Sequence, residues 1–479
     1  MDGDDSEHAD DATSETRSRR TAASGTDRRA DRRAFLKATG GVAVGAAVAG
    51  CISGGGGDGG DGGDGDSGDG GGGEDAATGT SSGGNTTGTA GGNVGETITI
   101  GAMGPADAPQ GISILNSAEL AASEINADGG IAGAEVEVVT KDTKDDPGTA
   151  RSGYQELTTG ENVTATVGIF GSEQLLAIMD TMAQQESPFL GAGAATPEAT
   201  RRVKDNYEKY KYLFRVGPPN STFLAESLVE FGGDMFESMG WSTIGLVAED
   251  FKWTEPVTEI LENDLASETG IEVAYNERIS EGTEDWTPIY DELQSSGVDG
   301  AFVQLAHIGT SSLVSWAKQA REFGYGGIHV PDQFPSFYAS TEGAARYTFS
   351  QTTATPTSEL TEKTKPYAEA YDQEYDGFPV YSGYSTYDAV YMLKQAIESA
   401  GSTNADDIVS ELEGASYTGT SGTIEFYGQN EEFPHDVKYG PEFVQGVYFQ
   451  WQVDEEGNGV QEVIWPEDLA TAEYQPPER

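Results

Sequence analysis

Four histidines, one cysteine and a serine closing a β-branched run are the residues of this 479-residue chain whose chemistry is to be weighed first. His8, His307, His329 and His435 stand at no spacing that brings two of them onto one metal ion. Ser172 lacks the Gly-x-Ser-x-Gly elbow that presents a nucleophile at a strand-to-helix turn. The turn Gly191-Ala192-Gly193-Ala194-Ala195-Thr196 half-matches a dinucleotide fingerprint, but its last position is Thr and Pro197 follows at once. No enzymatic activity, metal or cofactor is therefore expected. What these residues can do is grip without covalent chemistry. Ser172, where a strand ends and a helix starts, is either a helix cap or a carboxylate ligand. In the second role its hydroxyl acts with free N–H groups and a helix dipole contributing about 0.3 to 2 kcal/mol. Gly193, Ala194, Ala195 and Thr196 would add mainly backbone groups, their carbonyls accepting from an ammonium.

Both turns need a parallel sheet to bring them to one edge. Val163 to Ile169 reads as a strand, and Leu175, Leu176, Ile178, Met179 and Met182 then mark one face of a helix. Pro188 to Leu190 is a second short strand. Upstream, Thr97 to Met103 alternates as a strand, and Ile114, Leu115, Ala118, Ala121, Ala122 and Ile125 recur at helical spacing up to Gly129-Gly130. Glu135 to Val139 is the next strand, and Asp146-Pro147 opens the helix that follows.

After Gly217-Pro218-Pro219 the rhythm restarts. Strands are expected over Thr243 to Val247, Ile271 to Tyr275, Ala301 to Leu305 and Gly327 to Val330. Helices are expected over Thr222 to Phe231, Pro256 to Leu265, Trp286 to Leu293 and Ser311 to Phe323. Three helical patterns follow over residues 361–414, including Tyr387 to Ile397, and strands over Gly422 to Phe426 and Val444 to Val453 close the chain. The class is α/β, two doubly wound parallel-sheet lobes, a fold that binds small molecules at the carboxyl ends of its strands.

Charge narrows the partners. The chain carries 81 acidic against 27 basic residues, a formal net charge of -54, and 65 acidic against 19 basic fall in residues 96–479. A nucleic-acid groove needs clustered Lys and Arg and is excluded. Such acidity resembles proteins of extreme halophiles, because molar salt shortens the Debye length to about 3 Å and screens the self-repulsion.

Residues 1–50 are read as a signal segment. Asp31-Arg32-Arg33-Ala34-Phe35-Leu36-Lys37 resembles the twin-arginine export motif, and Val48-Ala49-Gly50-Cys51 resembles a lipobox. The apolar stretch between them is shorter than the roughly 20 residues of a membrane-spanning helix. Cys51 is the expected lipidation site, and residues 51–95, rich in Gly and Asp, are the expected flexible linker. The expected location is outside the cytoplasm, anchored to the outer face of the membrane.

Several pieces in fixed order carry a resemblance: Ile100 to Pro105 with Glu124-Ile125-Asn126, Asp142 with Asp146-Pro147, Val167-Gly168 with Ser172, Ala194 to Glu198, Gln319-Ala320-Arg321, and Tyr387-Asp388-Ala389-Val390. Over roughly Glu96 to Trp465 the chain resembles the periplasmic binding proteins of branched-chain amino acid and amide ABC transporters, the type I two-lobed fold. The resemblance implies three crossover strands, near 217, 352 and 444. Lobe 1 is then 96–217 with 353–444, and lobe 2 is 218–352 with 445–479. It implies an amino acid or small amide held between the lobes, delivery to transporter permease subunits, and a monomer. A ligand-sensing receptor of the same fold, or an anchored hydrolase, are the other readings. The resemblance places Ser172 and the 193–196 turn on one wall, although the family's threonine aligns with Ala195, one residue before Thr196. Opposite, Asp332 aligns with an acidic residue that pairs with the ligand ammonium, Gln333 being its competitor. Trp253 and Tyr387 align with aromatic positions of the cleft, and Gln110 and His307 fall where binders of aliphatic amino acids tend to be aromatic.

Overall fold

The computed structural model describes residues 94–477; the export motif, Cys51 and the tether up to residue 93 lie outside the described residues. Five strands, β1 (Thr97–Gly104), β2 (Glu135–Asp142), β3 (Ala165–Gly168), β4 (Phe189–Gly191) and β5 (Leu213–Arg215), pair in parallel in the order β2-β1-β3-β4-β5. The three short strands β3, β4 and β5 are wholly buried, as expected of parallel strands covered on both faces.

A second sheet is built from β6 (Thr243–Glu249), β7 (Glu272–Ile279), β8 (Gly300–Leu305), β9 (Gly324–His329) and β10 (Phe349–Thr352). Its parallel part runs β7-β6-β8-β9-β10, which repeats the winding of the first sheet. After a short hairpin, β11 (Tyr417–Thr418) with β12 (Thr423–Ile424), two long strands extend this sheet antiparallel: β13 (Val447–Val453) on β10, and β14 (Gly459–Trp465) on β13. In each sheet the order reverses at one point, between β1 and β3 and between β6 and β8, and open α/β sheets bind ligands outside the carboxyl ends at such points.

The helix Tyr381–Ala400 packs along the helix Pro109–Ala127 and is buried without interruption from Tyr381 to Val390. The approach is close: a Cβ on Gly383 would lie 2.2 Å from Ser113 Oγ. This helix begins six residues earlier than its apolar spacing predicts, because Tyr381-Ser382-Gly383-Tyr384-Ser385-Thr386 has little helical pattern of its own and is held by packing. Other expected elements shift as well. The helix of residues 311–323 ends at Lys318, the strand of 422–426 shrinks to Thr423–Ile424, and β5, β10 and β14 arise where no strand is expected. β10 escapes notice because Ser350, Gln351 and Thr352 are buried polar residues in an interior strand.

One hydrophobic core gathers residues from 98 to 216 and again from 354 to 444. Two others lie on either side of the second sheet. Ile114, Phe170, Ala195 and Tyr381 join the core containing Leu224 and Trp253, so apolar side chains of both lobes meet across the space between them.

Candidate functional site

A narrow cavity of about 40 Å³ lies at that meeting. Most of its lining follows the carboxyl ends of strands. From the first lobe come Phe170 and Ser172 after β3 and Gly193 and Ala195 after β4. Pro218 and Leu224 follow β5, where the chain passes over. The second lobe supplies Trp253 after β6, Ala306 and His307 after β8, Ile328, Val330 and Gln333 at and after β9, and Gln351 in β10. Thr353 and Tyr381 complete the lining on the return.

The two turns of the first wall are tied together. Ser172 is the first residue of the helix Ser172–Gln185, with Gly171 at the cap position, so its hydroxyl does not cap the helix. Instead its Oγ accepts from Thr196 N–H at 3.2 Å. The hydroxyl proton therefore remains available to an acceptor in the cavity. The Gly193 carbonyl accepts from the Tyr381 hydroxyl at 3.1 Å, and the Ala195 carbonyl from Ser221 N–H and Oγ at 2.8 and 3.0 Å.

Ala194 and Thr196, expected beside them, do not line the cavity. The Ala194 carbonyl turns to Arg215, whose Nε donates to it at 3.0 Å. Arg215 is wholly buried, ion-paired with Asp436, and donates through Nη2 to the Pro218 carbonyl at 2.8 Å. Asn220 Nδ2 completes the cluster on Asp436 at 2.8 Å. Thr196 accepts from Glu198 N–H through its Oγ1.

Three further residues expected in the cleft, Asp332, Tyr387 and Gln110, lie outside the lining. Asp332 is fully buried but points into its own lobe, with Oδ2 3.3 Å from both His329 Nδ1 and Thr348 Oγ1. Burial pushes its carboxyl above the usual range against the opposing effect of His329. The next residue of the tight turn Val330–Gln333 faces the cavity: Gln333 Oε1 accepts from Tyr381 N–H and Thr352 Oγ1, and its Nε2 donates to the Gln351 carbonyl. Tyr387 lies away from the cavity, its hydroxyl on Glu124 and its ring 4.3 Å from that of Tyr367. Tyr381, six positions earlier, takes the aromatic place. Gln110 is likewise buried outside the lining, with Oε1 lacking a protein partner.

Trp253 and His307 do line it, and both are held by Glu249, a residue that no motif in the sequence marks. Glu249 ends β6 and is wholly buried. Its Oε2 accepts backbone N–H groups of Ala306, His307 and Ile308 at 2.9, 2.9 and 3.2 Å. Its Oε1 accepts from Trp253 Nε1 and meets His307 Nδ1, each at 2.7 Å. Burial favours the neutral acid, yet the His307 charge and these donors outweigh it and hold the Glu249 carboxyl below its usual range. The His307 ring stacks on Phe251 with centroids 3.9 Å apart and sits 4.8 Å from Phe170 of the other lobe. Burial opposes its protonation, but Glu249, Asp145 and Glu173 prevail and raise its pKa. Its Nε2 lies 3.7 Å from Asp145 Oδ2 and has no hydrogen-bond partner. The one signal for Glu249 in the sequence is its position, an acidic residue at a strand end before the run Asp250 to Trp253.

The geometry is that of a small-molecule cleft, and comparison agrees. A periplasmic binding protein family model matches residues 97–440. A Leu/Ile/Val-binding protein homolog from Brucella melitensis is 25% identical over 375 residues, covering 74% of this chain and 86% of its own. The substrate-binding protein LivJ of a branched-chain amino acid transporter from Streptococcus pneumoniae, solved with isoleucine, superposes with a TM-score of 0.64 at 21% identity, covering 77% of this chain and 100% of its own. A solute-binding protein of an ABC transporter from Rhodopseudomonas palustris, solved with 3,4-dihydroxybenzoic acid, gives a TM-score of 0.65 at 17% identity, covering 77% and 97%. These two share the type I fold, two parallel-sheet lobes. Members of the matched family are extracytoplasmic solute-binding proteins, and no helix among the described residues is long and apolar enough to cross a membrane. With the family model spanning well over half its length, this chain belongs to the periplasmic binding protein family.

Proposed function

We propose that the protein is the extracytoplasmic receptor of an ABC importer, a lipoprotein that captures one small organic molecule in the inter-lobe cavity and hands it to the permease. The observation that carries this reading is the cavity itself, lined by residues that follow the carboxyl ends of strands in both sheets. Residues 96–217 with 353–444 would close as one lobe against 218–352 with 445–479, a hinge motion around ligand. Twin-arginine export and lipidation at Cys51 would place this receptor on the outer face of the membrane as a monomer, with residues 52–95 as its tether.

Ser172, Gly193, Ala195, Trp253 and His307 are the ligand contacts retained from the sequence, joined by Gln333 and Tyr381. Titration calorimetry of the full chain in high salt against amino acids, amides and small organic acids tests the proposal. Tight one-to-one binding of one compound, recovered unchanged, is the expected result. Turnover of the ligand would replace the receptor by a hydrolase.

A further inference from the structure

Neutral contacts join the lobes at several points. Tyr381 N–H donates to Gln333 Oε1, Ser221 donates to the Ala195 carbonyl, and the Phe170 ring meets that of His307. Charge gathers at one place on this seam. Asp145, in the turn after β2, and Glu173, in the first turn of the helix Ser172–Gln185, come from the first lobe, while Glu249 and His307 come from the second. Asp145 Oδ1 accepts from Gln174 Nε2 at 2.8 Å, and its Oδ2 faces His307 Nε2. Glu173 Oε1 accepts Lys252 N–H across the seam, while its Oε2 is buried without a hydrogen-bond partner. Glu281, after β7, acts on Asp145 from the second lobe.

The cations of the adjoining segments act elsewhere: Lys144 on Asp142, Lys252 on Glu255 and Arg278 on Asp250. The Tyr381 hydroxyl, within the field of Glu249 and Asp145, is kept neutral by burial. That leaves His307 to set a positive charge among these carboxylates. A neutral imidazole has one N–H and one lone pair. Given to Glu249, that N–H leaves the lone pair turned toward Asp145; given to Asp145, it leaves the lone pair against Glu249. Only the imidazolium points a proton at both, and the rings of Phe251 and Phe170 flank its charge. Separating the lobes withdraws Asp145, Glu173 and Phe170 and leaves Glu249, which a neutral Nδ1–H satisfies.

We propose that the cleft takes up a proton together with its ligand: His307, protonated, clasps Asp145 of the opposite lobe, so the lobes close most firmly in acid and loosen as pH rises. This clasp rests on the receptor reading and makes the proton a second ligand of the same site. The sign follows from linkage. The closed arrangement holds the proton more tightly than the open one, so the clasp is complete below the open-state value of His307. It is lost as pH rises through the closed-state value, by at most about tenfold in the closed-to-open ratio per pH unit. Burial opposes the charge, and Glu249, Asp145 and Glu173 together outweigh it, in keeping with that order.

Pulsed dipolar spectroscopy of the full chain tests the clasp. Nitroxides are placed by Asp107→Cys and Glu284→Cys, exposed positions that follow β1 and β7 in opposite lobes, in a Cys51→Ser background. Distance distributions are recorded in molar KCl from pH 5.5 to 9 without added compound. The short-distance population is expected to fall at least about threefold relative to the long one across that range. In His307→Gln the two populations should keep one ratio throughout. In Asp145→Asn the new amide can donate to the neutral Nε2, so the short population should persist at pH 9. Distributions that are the same at both ends in the wild type, whether open or closed, overturn the clasp. So does a wild-type response to pH in either variant. Tight binding of one compound in the calorimetric titration would then leave the receptor reading standing, whereas binding of none overturns that reading whatever the pH response.

Discussion

His307 Nδ1 lies 2.7 Å from Glu249 Oε1, and both groups belong to the second lobe, while the other ring nitrogen of His307 faces Asp145 of the first lobe at 3.7 Å. One imidazole thus stands between two carboxylates on opposite sides of the cleft. Glu173 of the first lobe accepts Lys252 N–H at 2.9 Å nearby, and Glu281 adds its field to Asp145. Burial raises the Asp145 carboxyl, and His307 pulls it back. Carboxylates of both lobes therefore converge on a group that is easily protonated.

A pH dependence follows with a definite sign. The folded pKa of His307 is raised, so its contribution to stability is complete below about 6.5, the ordinary histidine value, and is lost as pH rises through the folded value. That of Glu249 is lowered, so its contribution persists down to acid and disappears only as pH falls through its depressed value. The pair titrates as a unit. Unfolding of the wild type and of His307→Gln, followed by denaturant from pH 5.5 to 9, should show the largest difference at the acid end. A difference independent of pH would show that folding does not shift the titration of this imidazole.

Ser172→Ala removes the hydroxyl that links the two turns and that we place on the ligand. Affinity for the ligand should fall by about 1 to 3 kcal/mol, the worth of a charge-assisted hydrogen bond, with little change in unfolding temperature. Calorimetry and thermal unfolding on the same preparation separate the two effects. Unchanged affinity would remove Ser172 from the site.

Asp332 and Gln333 separate by function despite being adjacent. Gln333→Ala should weaken binding, since it strips the wall of a side chain that braces Tyr381 and Thr352. Asp332→Asn should leave affinity within about twofold, a change under roughly 0.5 kcal/mol. Binding lost in Asp332→Asn with folding intact would return the carboxylate to the cleft.

These two residues also show where sequence stops informing structure. Strands such as Thr97–Gly104 and Gly300–Leu305 are legible because apolar residues repeat over their length, and their carboxyl ends locate the cleft. Ser172 stands at such an end in the sequence pattern, whereas Trp253 and His307 are reached only through the family resemblance. Which of Asp332 and Gln333 faces inward depends on the phase of the four-residue turn Val330–Gln333, and no periodicity sets it. Tyr387 and Tyr381 are six residues apart on one helix, about 240° around its axis, so only one of them can face the cavity. The one that does lies in the turn of the helix with no apolar pattern. Glu249 is hidden for a different reason. A buried carboxylate resembles a surface one in sequence until its donors, spread over residues 253 and 306–308, are brought to it.

Arg215 and Asp436 lie where the chain leaves the first lobe, and their ion pair is fully buried with Asn220, Pro218 and Ala194 as partners. Replacing Arg215 by Met leaves the Asp436 carboxylate buried with its neighbours' weaker help. The loss of stability should be about 3 to 5 kcal/mol, the cost of breaking such a pair from one side. Chemical denaturation measures it, and a loss under about 1 kcal/mol would mean that the cluster admits water.

Salt should act very differently on the surface and on the interior of this molecule. Residues 96–479 hold 65 acidic against 19 basic residues, and most ion pairs at the surface, such as Lys141 with Glu156 or Lys365 with Glu359, involve well-exposed carboxylates and contribute little. Long-range repulsion among the remaining carboxylates outweighs them in dilute buffer, where the Debye length reaches about 30 Å at 0.01 M. Raising KCl to the molar range shortens it to about 3 Å, so the repulsion vanishes while the buried Arg215–Asp436 and His307–Glu249 contacts are screened far less. Unfolding temperature should therefore climb steeply from dilute buffer to molar KCl, with structure lost at the dilute end and regained on adding salt. The same series repeated on Arg215→Met should rise in parallel, displaced downward by a nearly constant amount, because salt relieves the surface and leaves the buried pair alone. An unfolding temperature that does not change with salt would remove the acidic surface from the stability of this protein.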